Sequence, residues 1–174
     1  MAYAEGGAMI FKYLIPFDHF VIHSRMSSAE AIQALQAVVE PRKLFRFSST
    51  GAKPFQGMVQ ASGFRITRII GYRNSWLPIV AGTVEPAPGG SLIRIHMRLM
   101  VIIGLFSAFW LGAVALVAVG FLIKASWQRI EAAPMILMPI GMLAFGLALT
   151  NGGFWFEANK QKRMLIDIFG GGTV

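Results

Sequence analysis

Two uncharged stretches, residues 99–123 and 132–156, constrain this chain more than any other feature. Each is long and apolar enough to cross a bilayer as a helix, for which roughly 20 residues suffice. Lys124, Arg129 and Glu131 lie between them. The pattern predicts a transmembrane helical hairpin with a connecting loop at 124–131. Neither stretch contains an ionisable side chain, whereas proton relays, ion sites and voltage sensors depend on such groups. A transporter or channel is therefore a poor reading. Ala108 with Gly112, and Ala144 with Ala148, are small residues four apart that let helices approach closely. Hairpin packing accounts for them, with dimerisation as the alternative. Pro139 is placed to kink the second span.

Hydrophobic residues make up 55% of the chain and charged residues only 14%, a balance that suits a membrane protein better than a soluble enzyme. Most of the charge lies before residue 99, which points to a soluble domain at 1–98 followed by the anchor. The chain has no cysteine, so disulfides, thiolate metal sites and cysteine nucleophiles are excluded. Residues 1–11 contain Glu5, Gly6 and Gly7 where a secretory signal needs an apolar core. The first span is then expected to act as its own insertion signal. The net charge of +8 has two competing explanations. Basic residues near a span report cytoplasmic orientation and attraction to anionic headgroups. Nucleic-acid binding normally brings a basic helix or an aromatic stacking motif; neither is visible, so no nucleic-acid partner is expected. Arg94 and Arg98 precede the first span, and Lys160, Lys162 and Arg163 follow the second. This bias over the loop, where Glu131 partly offsets Lys124 and Arg129, places both termini in the cytoplasm.

Within the soluble part, residues 9–23 read as a strand interrupted at Pro16. Ser27 to Glu30 forms a capping-box pattern. Ile32, Leu35, Val38 and Val39 follow at helical spacing and Pro41 ends the helix. From Lys43 onward the period changes to two. Phe45 and Phe47 alternate with Arg46 and Ser48, and Phe55, Gly57 and Val59 with Gln56 and Met58. Gly51, Gly63 and the cluster at 86–90 mark turns. The last strand is the cleanest: Ile93, Ile95, Met97 and Leu99 face one way, and Arg94, His96 and Arg98 the other. Strands joined by short turns imply an antiparallel meander. Residues 157–169 place Ala158, Gln161, Leu165 and Ile168 on one stripe, an amphipathic helix expected to pack on the sheet within a closing segment at 157–174. The expected fold is α+β: an antiparallel sheet with a short N-terminal helix and a C-terminal helix, and a transmembrane hairpin inserted before that last helix.

Candidate chemistry is sparse. There is no nucleophile elbow, phosphate loop or dinucleotide fingerprint. Asp18, His19 and His23 come closest to a metal set, with Glu30, Glu40 or His96 needed as a third ligand; ordinary surface or partly buried histidines are the plainer reading. No catalytic residue, metal or cofactor is expected. The densest polar stretch is 65–75. Arg65, Arg68 and Arg73 can bind phosphate bidentately, and Tyr72 and Trp76 suit a membrane interface. Arg94, His96 and Arg98 run into the first span and are placed near headgroup phosphates. The competing reading of both groups is a solvated strand face or sheet edge.

The runs FQGMV (55–59) and FRITRIIGYRNSWLP (64–78), the segment from Gly90 to Leu99 and the closing LIDIF (165–169) resemble an uncharacterised family of small bacterial two-span membrane proteins. The resemblance implies a soluble domain, two spans and a terminal helix in the bacterial inner (plasma) membrane. It carries over no functional residue. The order of strand, helix, sheet and closing helix also resembles a START-like helix-grip domain, which implies a hydrophobic ligand held between sheet and helix. A small bacterial PH-like sheet capped by a helix is the alternative. The expected function is a non-enzymatic, membrane-anchored domain that binds lipid or a hydrophobic ligand at the cytoplasmic membrane surface. The alternative is an accessory or scaffold subunit with a membrane-protein partner.

Overall fold

A computed structural model of the chain describes residues 15–42, 53–128 and 133–173. The predicted strand residues 9–14, the predicted strand at Phe45 and Phe47 with its Gly51 turn, and Arg129 and Glu131 lie outside the described residues. The elements run β1 (Phe17–Ser24), α1 (Ser28–Val38), β2 (Val39–Glu40), β3 (Phe55–Val59), β4 (Gly63–Arg68), β5 (Ile79–Ala87), β6 (Gly90–Arg98), α2 (Val101–Gln128), α3 (Ala133–Phe169) and β7 (Gly172–Thr173). The strands form one sheet in the order β2-β3-β4-β5-β6-β1-β7. The protein is thus α+β, with two long apolar helices beside a sheet domain.

The meander from β3 to β6 is antiparallel throughout, as the short turns require. Its β5–β6 turn places Pro88 before Gly89 at φ +80°, a backbone only glycine adopts without strain. The sheet as a whole is mixed, which corrects the antiparallel expectation: β2 pairs parallel with β3, Val39 opposite Phe55. The cause is α1. It starts at the end of β1 and carries the chain back across one sheet face, so the strand after it runs in the same direction as β1. Val39, expected to extend the helix, is extended instead at φ −108° and ψ 136°. It lies one residue ahead of the Glu40–Pro41 pair, where proline disfavours helix. The other end of α1 matches its capping box, with Ser27 and Glu30 exchanging hydrogen bonds. The hydrogen bond from the Ser27 backbone holds the Glu30 carboxyl below its usual range.

A second correction concerns the end of the chain. The second span and the closing helix are one helix, α3, of 37 residues. At 1.5 Å per residue it is about 55 Å long, and a bilayer core accounts for about 30 Å of that. Helix geometry continues through Pro139, Gly152 and Gly153. In the second half of α3, Phe154, Glu157, Gln161, Leu165 and Phe169 recur every three or four residues and are all buried, as is Ala158 beside them. One face of α3 therefore continues directly from the membrane onto the sheet, so no break is needed to bring the chain back. The helix closes with Gly170 at φ +57°, its N–H donating to the Asp167 carbonyl while Gly171 N–H reaches the Ile166 carbonyl. This is the Schellman pattern. The Ser24 hydroxyl donates to the Phe169 carbonyl at 2.6 Å and ties that end to β1.

The core lies between one sheet face and the helices α1 and α3. Phe55, Ile66, Ile93, Ile95, Met97 and Leu165 are almost wholly shielded there, and Phe64 packs on Phe169. The spans contrast with this. Within Val101–Ser126 and Ile136–Phe169, apolar 18-residue windows of mean hydropathy 2.4 and 1.5 are only 6% and 17% buried. A core helix of a soluble protein would be covered by its own fold; Phe106, Phe109, Leu116 and Phe145 are exposed. Such an apolar surface fits a nonaqueous surrounding, and both helices are long and apolar enough to cross a membrane.

Candidate membrane-surface site

The connection between β4 and β5, residues 69–78, is held against both spans. Asn74 accepts a hydrogen bond from Trp76 N–H at 2.9 Å, a local turn that short polar side chains favour. Its amide also donates to the Gly153 carbonyl at 3.0 Å. Gly153 is small for a reason: a Cβ there would meet the Trp76 ring and Asn74 Oδ1 at 3.2–3.3 Å. The Trp76 indole N–H reaches Ser107 Oγ on α2 at 3.4 Å. One loop therefore touches both membrane helices where they leave the domain. Trp and Tyr suit such a boundary between apolar and polar surroundings, where the ring packs and the polar end is hydrogen-bonded.

Four residues beyond Gly153, Glu157 is fully buried. Arg68 Nη1 donates to its Oε2 at 2.7 Å, and the Tyr72 hydroxyl donates to its Oε1. Burial lowers the Arg68 guanidinium pKa, but the hydrogen bond and charge of Glu157 outweigh it and the net shift is upward. The same carboxylate, by accepting the phenol's hydrogen bond, raises the Tyr72 hydroxyl above its ordinary value. Charge-assisted bonds of this kind are about twice as strong as neutral ones. Glu157 is not among the contact residues that the sequence pattern singles out. Its signal was present: it is the first charge after the second uncharged stretch, on the stripe shared by Ala158, Gln161 and Leu165.

The seven candidate contact residues thus fall into three groups. Arg68 and Tyr72 direct their polar groups onto Glu157. Arg73 and Arg98 are exposed at the membrane-proximal rim, Arg73 on the loop held to the spans and Arg98 three residues before α2 begins. Phe17 pairs with Arg98, and Ile15, Phe17 and Met100 are exposed large apolar side chains around it. Arg65, Arg94 and His96 lie on the sheet face that α1 and α3 leave uncovered. Across that face Met58, Arg65, Ala81, His96 and His19 form one row. Arg94 makes a 3.4 Å pair with Glu85, both about half exposed.

Asp18, His19 and His23 are not brought together. Asp18 faces α3, where Lys162 Nζ is 4.0 Å from its carboxylate, while His19 and His23 are exposed on the open face. Strand alternation makes this unavoidable, because residues one apart point to opposite faces. Among the described residues no group of three metal-ligating side chains forms. An apolar pocket of about 210 Å³ lies between α2 and α3, lined by Trp76, Phe106, Trp110, Phe145 and Leu149. The space between the sheet and α3, where a helix-grip ligand would sit, is occupied by the packed core. No family model, curated protein or solved structure matches the chain.

Proposed function

We propose that this chain is a non-enzymatic, membrane-anchored domain that binds anionic lipid headgroups at the cytoplasmic surface of a bacterial inner membrane. The observation that carries this reading is the rim. Arg98 stands exposed opposite Phe17 and two residues before Met100, both exposed apolar side chains, where α2 begins, and Arg73 is exposed on the loop held to α2 and α3. Each cation near an anionic surface contributes about 1 kcal/mol, and the neighbouring apolar side chains suit the acyl boundary. The continuous helix α3 holds the rim at that height, because span and domain share it. The test is reconstitution in nanodiscs of phosphatidylcholine with a rising fraction of phosphatidylglycerol, measuring the lipid retained around the protein. Enrichment of phosphatidylglycerol is expected, reduced by added salt and in the Arg73→Gln, Arg98→Gln double variant. Equal retention of both lipids would refute the reading.

The uncovered sheet face favours a second reading, an accessory subunit with a membrane-protein partner. Arg94 lies four residues from Arg98, about 13 Å further along the strand, beyond the reach of headgroups that contact the rim. Arg65, Arg94 and His96 there suit an acidic protein surface. Crosslinking in native membranes from that face separates the two, since only the second expects reproducible heterologous partners.

A further inference from the structure

We propose that the pocket between α2 and α3 holds one acyl chain of a membrane lipid, more tightly than the lipids that merely surround the hairpin. Two indoles frame it. Trp76 closes the domain side, hydrogen-bonded to Ser107. Trp110 occupies the space that a side chain at Gly146 would fill. Rigid rings at these two heights leave a gap between the helices of about 210 Å³, lined also by Phe106, Phe145 and Leu149.

The setting selects the occupant. The lining helices are apolar enough to stand in hydrocarbon, where the neighbouring molecules are lipid chains. The pocket is half open, so a chain can enter it from the side, and its apolar walls suit an apolar guest. Unfilled, its walls forgo the dispersion contacts that a chain restores. The polar groups agree with this orientation. Ser107 and Thr150 line the pocket on the side nearest the domain, one turn or so from Trp110 and Phe145 in sequence. The Ser107 oxygen accepts from Trp76, so its own O–H is left to donate, as a lipid ester carbonyl at the top of a chain requires. The chain, and not the headgroup, is what this site recognises. The inference therefore goes beyond headgroup binding at Arg73 and Arg98.

The experiment uses the full chain, reconstituted with dioleoyl phosphatidylcholine or dioleoyl phosphatidylglycerol, transferred to mild detergent and weighed by native mass spectrometry. One retained lipid per chain is expected with either headgroup. Leu149→Phe from α3, and separately Leu111→Phe from α2, which also lines the pocket, should lower its retention about threefold, the change expected when roughly 25 Å³ of an apolar cavity is already filled. Leu116→Phe, at a side chain 75% exposed on α2, should leave retention unchanged. The proposal is overturned if the unaltered protein retains no lipid, or if Leu116→Phe lowers retention as much as the pocket variants. Crosslinks showing a second copy's side chain in the pocket would overturn it too. Preference for phosphatidylglycerol, or its lack, bears on the rim alone, so the two readings fail separately.

Discussion

The two faces of the sheet carry the same cation in different surroundings. On the covered side, at the end of β4, Arg68 meets a carboxylate with no solvent exposure at 2.7 Å. On the open side Arg94 meets Glu85 at 3.4 Å, and both side chains remain about half exposed. Water screens the second pair and offers each partner an alternative, so exposed pairs of this kind contribute between zero and about 1 kcal/mol. The first pair has no such alternative. Its value lies in what happens when one member is lost, because the other is then left charged and buried. Arg68 and Glu157 also join elements far apart in sequence, which makes the pair a latch between sheet and membrane helix. Arg94 and Glu85 join two neighbouring strands that already share a full ladder.

The largest effect that tests this difference comes from breaking the latch. Arg68→Leu should destabilise the domain by about 3–5 kcal/mol, measured by thermal unfolding in detergent micelles. Adding Glu157→Leu should recover most of that loss, since the uncompensated charge is gone. Additive losses would show instead that the pair itself supplies the stability. The same contact has a pH signature. Tyr72 ionises above its ordinary value in the folded protein because its O–H donates to Glu157. Its contribution is therefore complete below the ordinary phenol pKa of about 10 and is lost as pH rises through the elevated folded value. Ultraviolet titration of the phenolate should show that elevation, and Glu157→Gln should reduce it.

A smaller effect sharpens the comparison within the covered side. Gln161 lies one turn beyond Glu157, fully buried, and neither end of its amide has a hydrogen-bond partner. The residue therefore bears the cost of burial without the bond that offsets it for Glu157. Gln161→Met, similar in shape and apolar, should raise stability by about 1–3 kcal/mol. A loss of stability would mean that the amide does find a partner in the membrane-bound protein. The smallest effect belongs to the open side: Arg94→Gln should change stability by less than about 0.5 kcal/mol. A larger change would show that the open face is covered in the folded protein.

Much of the domain was legible because it is written in local periodicity. The alternation from Ile93 to Leu99 assigned the faces of β6, and Ser27 with Glu30 assigned the start of α1. Both are decided within a few residues by strand and helix geometry. What failed was less local. Val39 belongs to an edge strand because of where α1 delivers the chain. The separate closing helix was expected because composition changes at Glu157, but helix formation follows the continuous buried face and not the change in polarity. In sequence the contact residues fall in two groups, the arginine-dense stretch 65–75 and Arg94, His96 and Arg98 on the last strand. Strand alternation and the loop's attachment to α2 and α3 divide them into a latch, a rim and an open face.

By itself the sequence determined that two apolar helices follow a basic sheet domain, since twenty or so uncharged residues have few stable settings other than a bilayer. Only the tertiary structure decided how domain and anchor are joined. Arg68 and Glu157 are 89 residues apart, and no local pattern relates them. Their pairing depends on β4, the loop at 69–78 and α3 meeting at one place. The same long-range packing sets Trp76 over the spans and leaves the pocket beneath it.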